Sequence, residues 1–237
     1  MSSIGNWRGP NIVKDGLVLY IDPGSPNSYY DKYSTTIKDI SGNNSNITLI
    51  NSPAYQDTNG GRLYFDGTNE YAIIPSVILL NNSIPKTFSF WCQSLAGSGG
   101  TLIADMGFTA NRGWLISIGT EIRFGGSNNG SNANLIYRNT TNANISNGNW
   151  YNIVVTYDPS VPTALFYLNG VLLLDDGGTI YNTYRNSTAF TLIGGYSSGP
   201  VSSLFKGMIA NFLQYDKVLT QQEVLQNYNA LKSRFGL

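Results

Sequence analysis

Histidine is absent from the 237 residues. That removes the commonest general base and zinc ligand, and with them Ser-His-Asp and Cys-His catalysis. Cys92 is the only cysteine, so no intrachain disulfide can form. It sits in the strand-like run Phe88-Ser89-Phe90-Trp91-Cys92 and reads as a small buried residue. Charge is scarce, at 12% of residues against about a quarter in an ordinary soluble domain. Net charge is zero with no basic stripe, which excludes a nucleic-acid footprint. No apolar run approaches the roughly 20 residues of a membrane-spanning helix. The opening MSSIGNWRGP lacks the charged-then-apolar layout of a secretion signal, so the expectation is a protein made without one.

Asn, Ser, Thr and Gly supply the polarity instead, and apolar residues make up 41% of the chain. The clearest pattern lies in Trp150 to Leu174, WYNIVVTYDPSVPTALFYLNGVLLL. Tyr151, Ile153, Val155 and Tyr157 alternate with Asn152, Val154, Thr156 and Asp158, the period of a strand. Asp158-Pro159-Ser160 breaks it with turn residues. Ala164 to Leu168 runs into Asn169-Gly170, a dipeptide suited to a type I′ turn because both positions need φ > 0. Val171 to Leu174 pairs back, which gives an antiparallel meander.

Further strand-like runs lie at Gly16–Ile21, Ile47–Ile50, Arg62–Phe65, Tyr71–Ile74, Thr87–Gln93, Leu102–Ala104, Trp114–Ile118, Glu121–Phe124, Phe190–Ile193 and Leu204–Leu213. A hairpin is expected across Asp66-Gly67 or the residues that follow. Gly, Asn and Asp turns separate the runs, no repeat is visible, and no Pro/Ser linker divides the chain. The pattern predicts one all-β domain over 15–237, preceded by an arm over 1–14 that carries Ile4 and Trp7. One helix is signalled near the end. Thr220 and Glu223 form a capping box, Val224, Tyr228 and Leu231 share a face that Leu225 widens, and Gly236 can terminate it. The helix is expected to cover an edge or an end of the sandwich. Asn-x-Ser/Thr triplets at Asn46, Asn81, Asn129, Asn139 and Asn186 follow from the composition and matter only in a secretory setting.

GLVLYIDPGSPNSY at Gly16–Tyr29, with Asp39-Ile40-Ser41-Gly42-Asn43, resembles the opening of concanavalin A-like, laminin-G-type jelly rolls. LYFDGTNEY at Leu63–Tyr71 resembles their FDGxxDY segment, with Glu70 where Asp is usual. Trp150–Tyr157 with Phe166–Val171 resembles their W-x-x-V-x-x-T-Y…Y-x-N-G hairpin. Phe205–Ala210, Leu219-Thr220 and Glu223-Val224 resemble the closing strand and terminal helix. The opening segment and Asn227–Leu237 further resemble laminin-G-like structural proteins of tailed bacteriophages. The resemblance implies a jelly-roll sandwich of two antiparallel sheets with one short C-terminal helix. It implies binding or structural roles, with calcium at the rim in many members. No Asp-x-Asn/Asp loop cluster matches such a site. Asp105 and Asp66 are the nearest candidates and read as turn residues, so no metal or other cofactor is assigned.

Three functions compete. Glycoside hydrolysis needs two facing carboxylates, and the glutamates are Glu70, Glu121 and Glu223, with Glu223 engaged in the cap. A lectin would draw on Arg112, Trp114, Asn128, Asn129, Arg138, Tyr184, Arg185 and Tyr196, because rings meet sugar faces while amides and guanidinium groups bind hydroxyls. A non-enzymatic virion component, a decoration or fibre-associated protein of a tailed phage, fits the arm, the low charge and the lack of a catalytic group. Sequence favours this last role, with other virion proteins as partners, Ile4 and Trp7 as docking residues, and cell-surface glycans as a second ligand.

Overall fold

The computed structural model describes residues 10–29, 31, 33–74, 84–105, 107, 112–141, 143–185, 190–197 and 201–237. The first strands are β1 (Leu17–Ile21), β2 (Thr36–Ile37), β3 (Ile47–Ile50), β4 (Ala54–Gln56), β5 (Arg62–Asp66) and β6 (Tyr71–Ile74). Next come β7 (Lys86–Ser94), β8 (Gly100–Asp105), β9 (Arg112–Ile118), β10 (Ile122–Gly130) and β11 (Leu135–Asn139). They are followed by β12 (Tyr151–Asp158), β13 (Thr163–Leu168), β14 (Val171–Leu172), β15 (Thr191–Ile193), β16 (Tyr196–Ser197), β17 (Val201–Ser202) and β18 (Lys206–Tyr215). Helix α1 (Gln221–Leu231) and a 3-10 turn (Lys232–Phe235) close the chain.

Sheet 1 runs β14-β13-β12-β7-β18-β5-β4, and β1 pairs with the far half of the long β18. Sheet 2 runs β11-β10-β9-β8-β15-β6-β3-β2, and β16–β17 form a separate ribbon. Every pairing is antiparallel, so this is the two-sheet jelly-roll sandwich expected from the sequence. The main core lies between the sheets, with Phe88, Phe90, Trp114, Phe124, Ile153, Phe166 and Phe212 among its fully buried side chains. Stacking at 4.5 Å between Phe90 and Phe212 joins neighbouring strands within it.

The meander forms as its turn chemistry requires. Leu168 pairs with Val171, and Asn169 and Gly170 take φ of 52° and 80°. Expectation and structure part at Asp66-Gly67. The strands on either side do not form a hairpin, because β5 belongs to sheet 1 and β6 to sheet 2. Residues 67–70 are a crossing between layers, held where Glu70 accepts from the Asp66 amide at 2.7 Å and Asp66 accepts from the Thr68 amide.

Sheet 1 is covered on both faces. In β7, Phe88, Phe90 and Cys92 face the main core, while Trp91 faces outward and is still buried. Trp91 stacks on Phe235 at 4.2 Å and on Tyr228 of α1 at 5.7 Å. Thr87 and Ser89, buried on the same outer side, bond the Lys217 carbonyl, the Leu219 amide and Asn152. The helix therefore covers a face of the sheet, not an edge or an end. Its capping box is formed by Thr220 and Glu223, and Gly236 ends the chain's last turn at φ 74°. Leu225, expected to widen the apolar stripe, is 44% exposed. Asn227 is buried instead, accepting from the Val13 amide and donating to Tyr215 Oη.

That bond also corrects the limits of the arm. Ile12 and Val13 are buried against Val154, Tyr167, Leu213 and Val224, so the end of the proposed arm is part of the domain. Ile4 and Trp7, offered as docking residues, lie outside the described residues, as do Asn81 and Asn186. The family-like opening and closing segments meet in one clasp. Asp22 and Arg234, both almost fully buried, form an ion pair at 2.9 Å. Arg234 also donates to the carbonyls of Asn59 and Gly61. Gly24 lies so near this turn that a Cβ there would sit 1.8 Å from the Gly60 carbonyl oxygen.

Candidate binding face on sheet 2

Cross-strand partners share a face, so the register of sheet 2 decides what its outer surface displays. Ala104 lies opposite Leu115, Leu115 opposite Gly125, and Gly125 opposite Tyr137. A second row holds Thr101, Ser117, Arg123 and Asn139. Ala104 and Leu115 form a buried apolar floor, and Leu135, Tyr137 and Tyr196 pack over it, half-buried, apart from the main core. Gly125 is required between Leu115 and Tyr137, since a Cβ there would lie 2.2 Å from the Ile136 carbonyl oxygen.

Two guanidinium groups lie against these rings. Arg112 sits 5.8 Å from the Tyr196 ring centre and donates through Nε to Asn132 Oδ1 at 2.7 Å. Arg123 sits 5.3 Å from the Tyr137 ring centre and donates through Nε to Asn139 Oδ1 at 2.9 Å. Neither has a carboxylate within ion-pair distance among the described residues. Asn139 is itself held by Asp176. Burial would raise the Asp176 carboxyl, but donation from Asn139 and Gly178 and the charge of Arg138 outweigh it and hold it below the usual carboxylate range. Burial raises the Tyr137 phenol, only partly offset by Arg123 and Arg112, so it stays a hydrogen-bond donor at neutral pH. The arrangement can offer guanidinium and phenol donors around an apolar floor.

Five of the sequence-predicted ligand residues gather at this end of sheet 2. Arg112 and Tyr196 touch one another. Arg185 donates to the Asn129 carbonyl at 3.1 Å, and its amide bonds the Ser127 carbonyl. Asn128 is exposed beside Asn129, whose side chain accepts from Ser127 Oγ and the Ser131 amide. The other three lie elsewhere. Trp114 is fully buried at 5.1 Å from Phe88. Tyr184 is buried against Phe124 and Tyr157. Both fill the core, Trp114 from an inward position of β9 and Tyr184 from the loop before β15, and neither can meet a ligand in solvent. Arg138 makes a bidentate pair with Asp175 and reaches Thr163 of β13, which ties sheet 2 to sheet 1 at the mouth of the sandwich.

Tyr137, Arg123, Asn132 and Asn139 were not anticipated. Asp66 is committed to its turn, and Asp105 is buried at the end of β8 opposite Trp114. Among the described residues no three His, Cys, Asp or Glu side chains converge as a metal site would need. The three glutamates are dispersed over the crossing after β5, the β9–β10 turn and the first turn of α1. Among the described residues no helix is long and apolar enough to cross a membrane.

A family model described as the concanavalin A-like lectin/glucanases superfamily, laminin G type, matches residues 66–225. The chain belongs to that superfamily. No curated protein matches it. Among solved structures it is similar to the binding domain of Paraclostridial Mosquitocidal Protein 1, at 19% identity and TM-score 0.66 over 92% of this chain and 52% of that one. It is similar at 17% identity, TM-score 0.66 and the same coverage to a structure from work on botulinum neurotoxin type C, whose cell entry depends on two ganglioside molecules. A third is the binding domain of botulinum neurotoxin DC with rat synaptotagmin II, at 15% identity and TM-score 0.64, covering 92% of this chain and 52% of that one. The chain spans about half the length of these structures, and likeness at this identity establishes the fold.

Proposed function

We propose that the protein is a non-enzymatic, lectin-like module that binds cell-surface glycans on the outer face of sheet 2. The observation that carries this is the pair of guanidinium groups, Arg112 and Arg123, each fixed by an asparagine and a tyrosine ring and neither matched to an acid of its own. Their terminal amino groups make no hydrogen bond among the described residues. A sugar bearing a carboxylate would supply the missing charge, and charge-assisted bonds of this kind are about twice as strong as neutral ones. Leu135 and the half-buried rings of Tyr137 and Tyr196, which pack over the Ala104–Leu115 floor, would take its apolar face. The superfamily and the receptor-binding toxin domains of the same fold support a binding role. The dispersal of Glu70, Glu121 and Glu223 argues against the hydrolase alternative.

A virion component was the role sequence favoured. Its residue-level support is the resemblance of Gly16–Tyr29 and Asn227–Leu237 to phage proteins. Those two segments meet in the Asp22–Arg234 clasp, which gives them a role in closing this fold that needs no virion. The lectin reading therefore stands ahead of it. The test is an array of acidic and neutral glycans at physiological salt. Binding to carboxylate-bearing members is expected, and Arg112→Gln with Arg123→Gln should abolish it while the melting temperature holds. No bound glycan would refute the reading.

A further inference from the structure

Away from the sheet 2 face, the two sheets meet along a seam. Their edge strands there are β4 in sheet 1 and β2–β3 in sheet 2. The chain crosses from β3 to β4 through Asn51 and Ser52, both at φ 58°, a turn few side chains adopt. The crossing opens a cleft of about 170 Å3 with Leu49 and Pro53 in its wall and Tyr29, Tyr33 and Tyr55 around it. Tyr29 and Tyr55 lie 5.4 Å apart at 46°, and Tyr29 Oη donates to the Ser34 carbonyl, which fixes the loop. Tyr33 is 82% exposed, an unusual position for a ring on a chain this poor in charge.

Tyr55 also borders a wider groove of about 470 Å3 lined by Gln56, Asp57, Thr58 and Arg62. Asp57 stands at the N-cap of a short 3-10 turn, yet its carboxylate makes no cap bond. Arg62 is held by Gln56 Oε1 at 2.9 Å and Asn59 Oδ1 at 2.8 Å, with its guanidinium 5.6 Å from the Trp150 ring. Asn59 is in turn gripped by Arg234 of the clasp. The wall is thus rigid before any ligand arrives, which lowers the entropy lost on binding.

We propose that this seam is a second carbohydrate subsite, separate from the sheet 2 face, and that it takes neutral hexose units. Tyr33 and Tyr55 offer ring faces to the CH side of a sugar. Asp57 can accept from adjacent hydroxyls, and Gln56 and Arg62 can donate. The charge balance sets the class. Asp57 and Arg62 cancel, so an acidic sugar gains from one what it loses to the other, whereas an uncharged sugar uses both. The sheet 2 face, with arginines and no matching acids, has the opposite preference. This inference stands whether or not the sheet 2 face binds a glycan.

The test uses the full chain labelled with 15N and titrated in turn with maltopentaose, cellopentaose and mannopentaose. Saturable amide shifts in 33–35 and 55–58 are expected with at least one of the three. Tyr33→Ala should weaken that binding about three- to tenfold, the size of one aromatic contact, and Asp57→Asn should weaken it as well. Tyr33 is exposed enough that its loss leaves the fold intact, which unchanged dispersion elsewhere in the spectrum would verify. The proposal is overturned if none of the sugars shifts these amides, if the shifts fall on β9–β11 instead, or if Tyr33→Ala leaves the dissociation constant unchanged.

Discussion

Replacing Arg234 with Met would remove one partner of an ion pair whose side chains are only 7% and 8% exposed. The carboxylate of Asp22 would keep its bond from the Gly24 amide and the Tyr20 hydroxyl but lose its counter-charge. The Asn59 and Gly61 carbonyls would each lose a donor. Breaking a buried pair by removing one side typically costs about 3–5 kcal/mol, because the remaining charge stays buried. Whole-domain stability is roughly 5–15 kcal/mol, so the loss is a large share of it. It should appear in urea unfolding, followed by tryptophan fluorescence, and as a drop in Tm of about 6–20 °C. Adding Asp22→Asn keeps an acceptor for the Gly24 amide and removes the orphaned charge. The double variant should recover about 1–2 kcal/mol, a coupling within the usual range for contacting residues. A loss under about 1 kcal/mol for Arg234→Met, or a double variant no more stable than the single, would mean that the clasp does not close the fold.

Other consequences are smaller in scale. Phe166→Ala empties a fully buried position in the meander and should cost about 3–5 kcal/mol in chemical unfolding. Thr220→Ala removes the oxygen that accepts from the Glu223 amide and should cost about 1 kcal/mol. Burial would raise the Glu223 carboxyl, but bonds from Lys217 and Thr220 outweigh it and hold it below the ordinary glutamate range. A depressed carboxyl stabilises the fold above its unfolded pKa, and that share is lost as pH falls through the lower folded value. The stability difference between the wild type and Glu223→Gln should therefore be full near neutrality and shrink below about pH 4.5. A difference constant down to pH 2 would contradict this.

Local patterns were legible wherever one element carries its own instructions. The meander, the Asn169-Gly170 turn and the Thr220–Glu223 cap depend on neighbours a few residues apart, and the structure has them as read. The crossing at residues 67–70 was not legible, because Asp-Gly between two apolar runs suits a hairpin equally well. The choice of sheet rests on β18 and β15, far along the chain. The helix's place on sheet 1 was not legible in β7, whose outward Thr87 and Ser89 are polar, as on a solvated face, and yet are buried. Of the candidate ligand residues, those in loops and at strand ends came together. Trp114 and Tyr184 did not, since a strand or loop ring can face either way. Tyr137 and Arg123 were missed because their meeting depends on the register that sets Gly125 opposite Tyr137, which no local signal encodes.

The cover on the outer face of sheet 1 has a geometric consequence. Ile12 and Val13 at one end of the described chain, and α1 with Phe235 at the other, lie together on that side. The arginine–tyrosine face is on the far side of a sandwich whose layers pack about 10 Å apart. A resin, a surface or a second polypeptide joined at the C-terminal end would hold the molecule by its back. The arginine–tyrosine face would then point away from the attachment, free to sweep the surroundings without being shadowed by its own anchor.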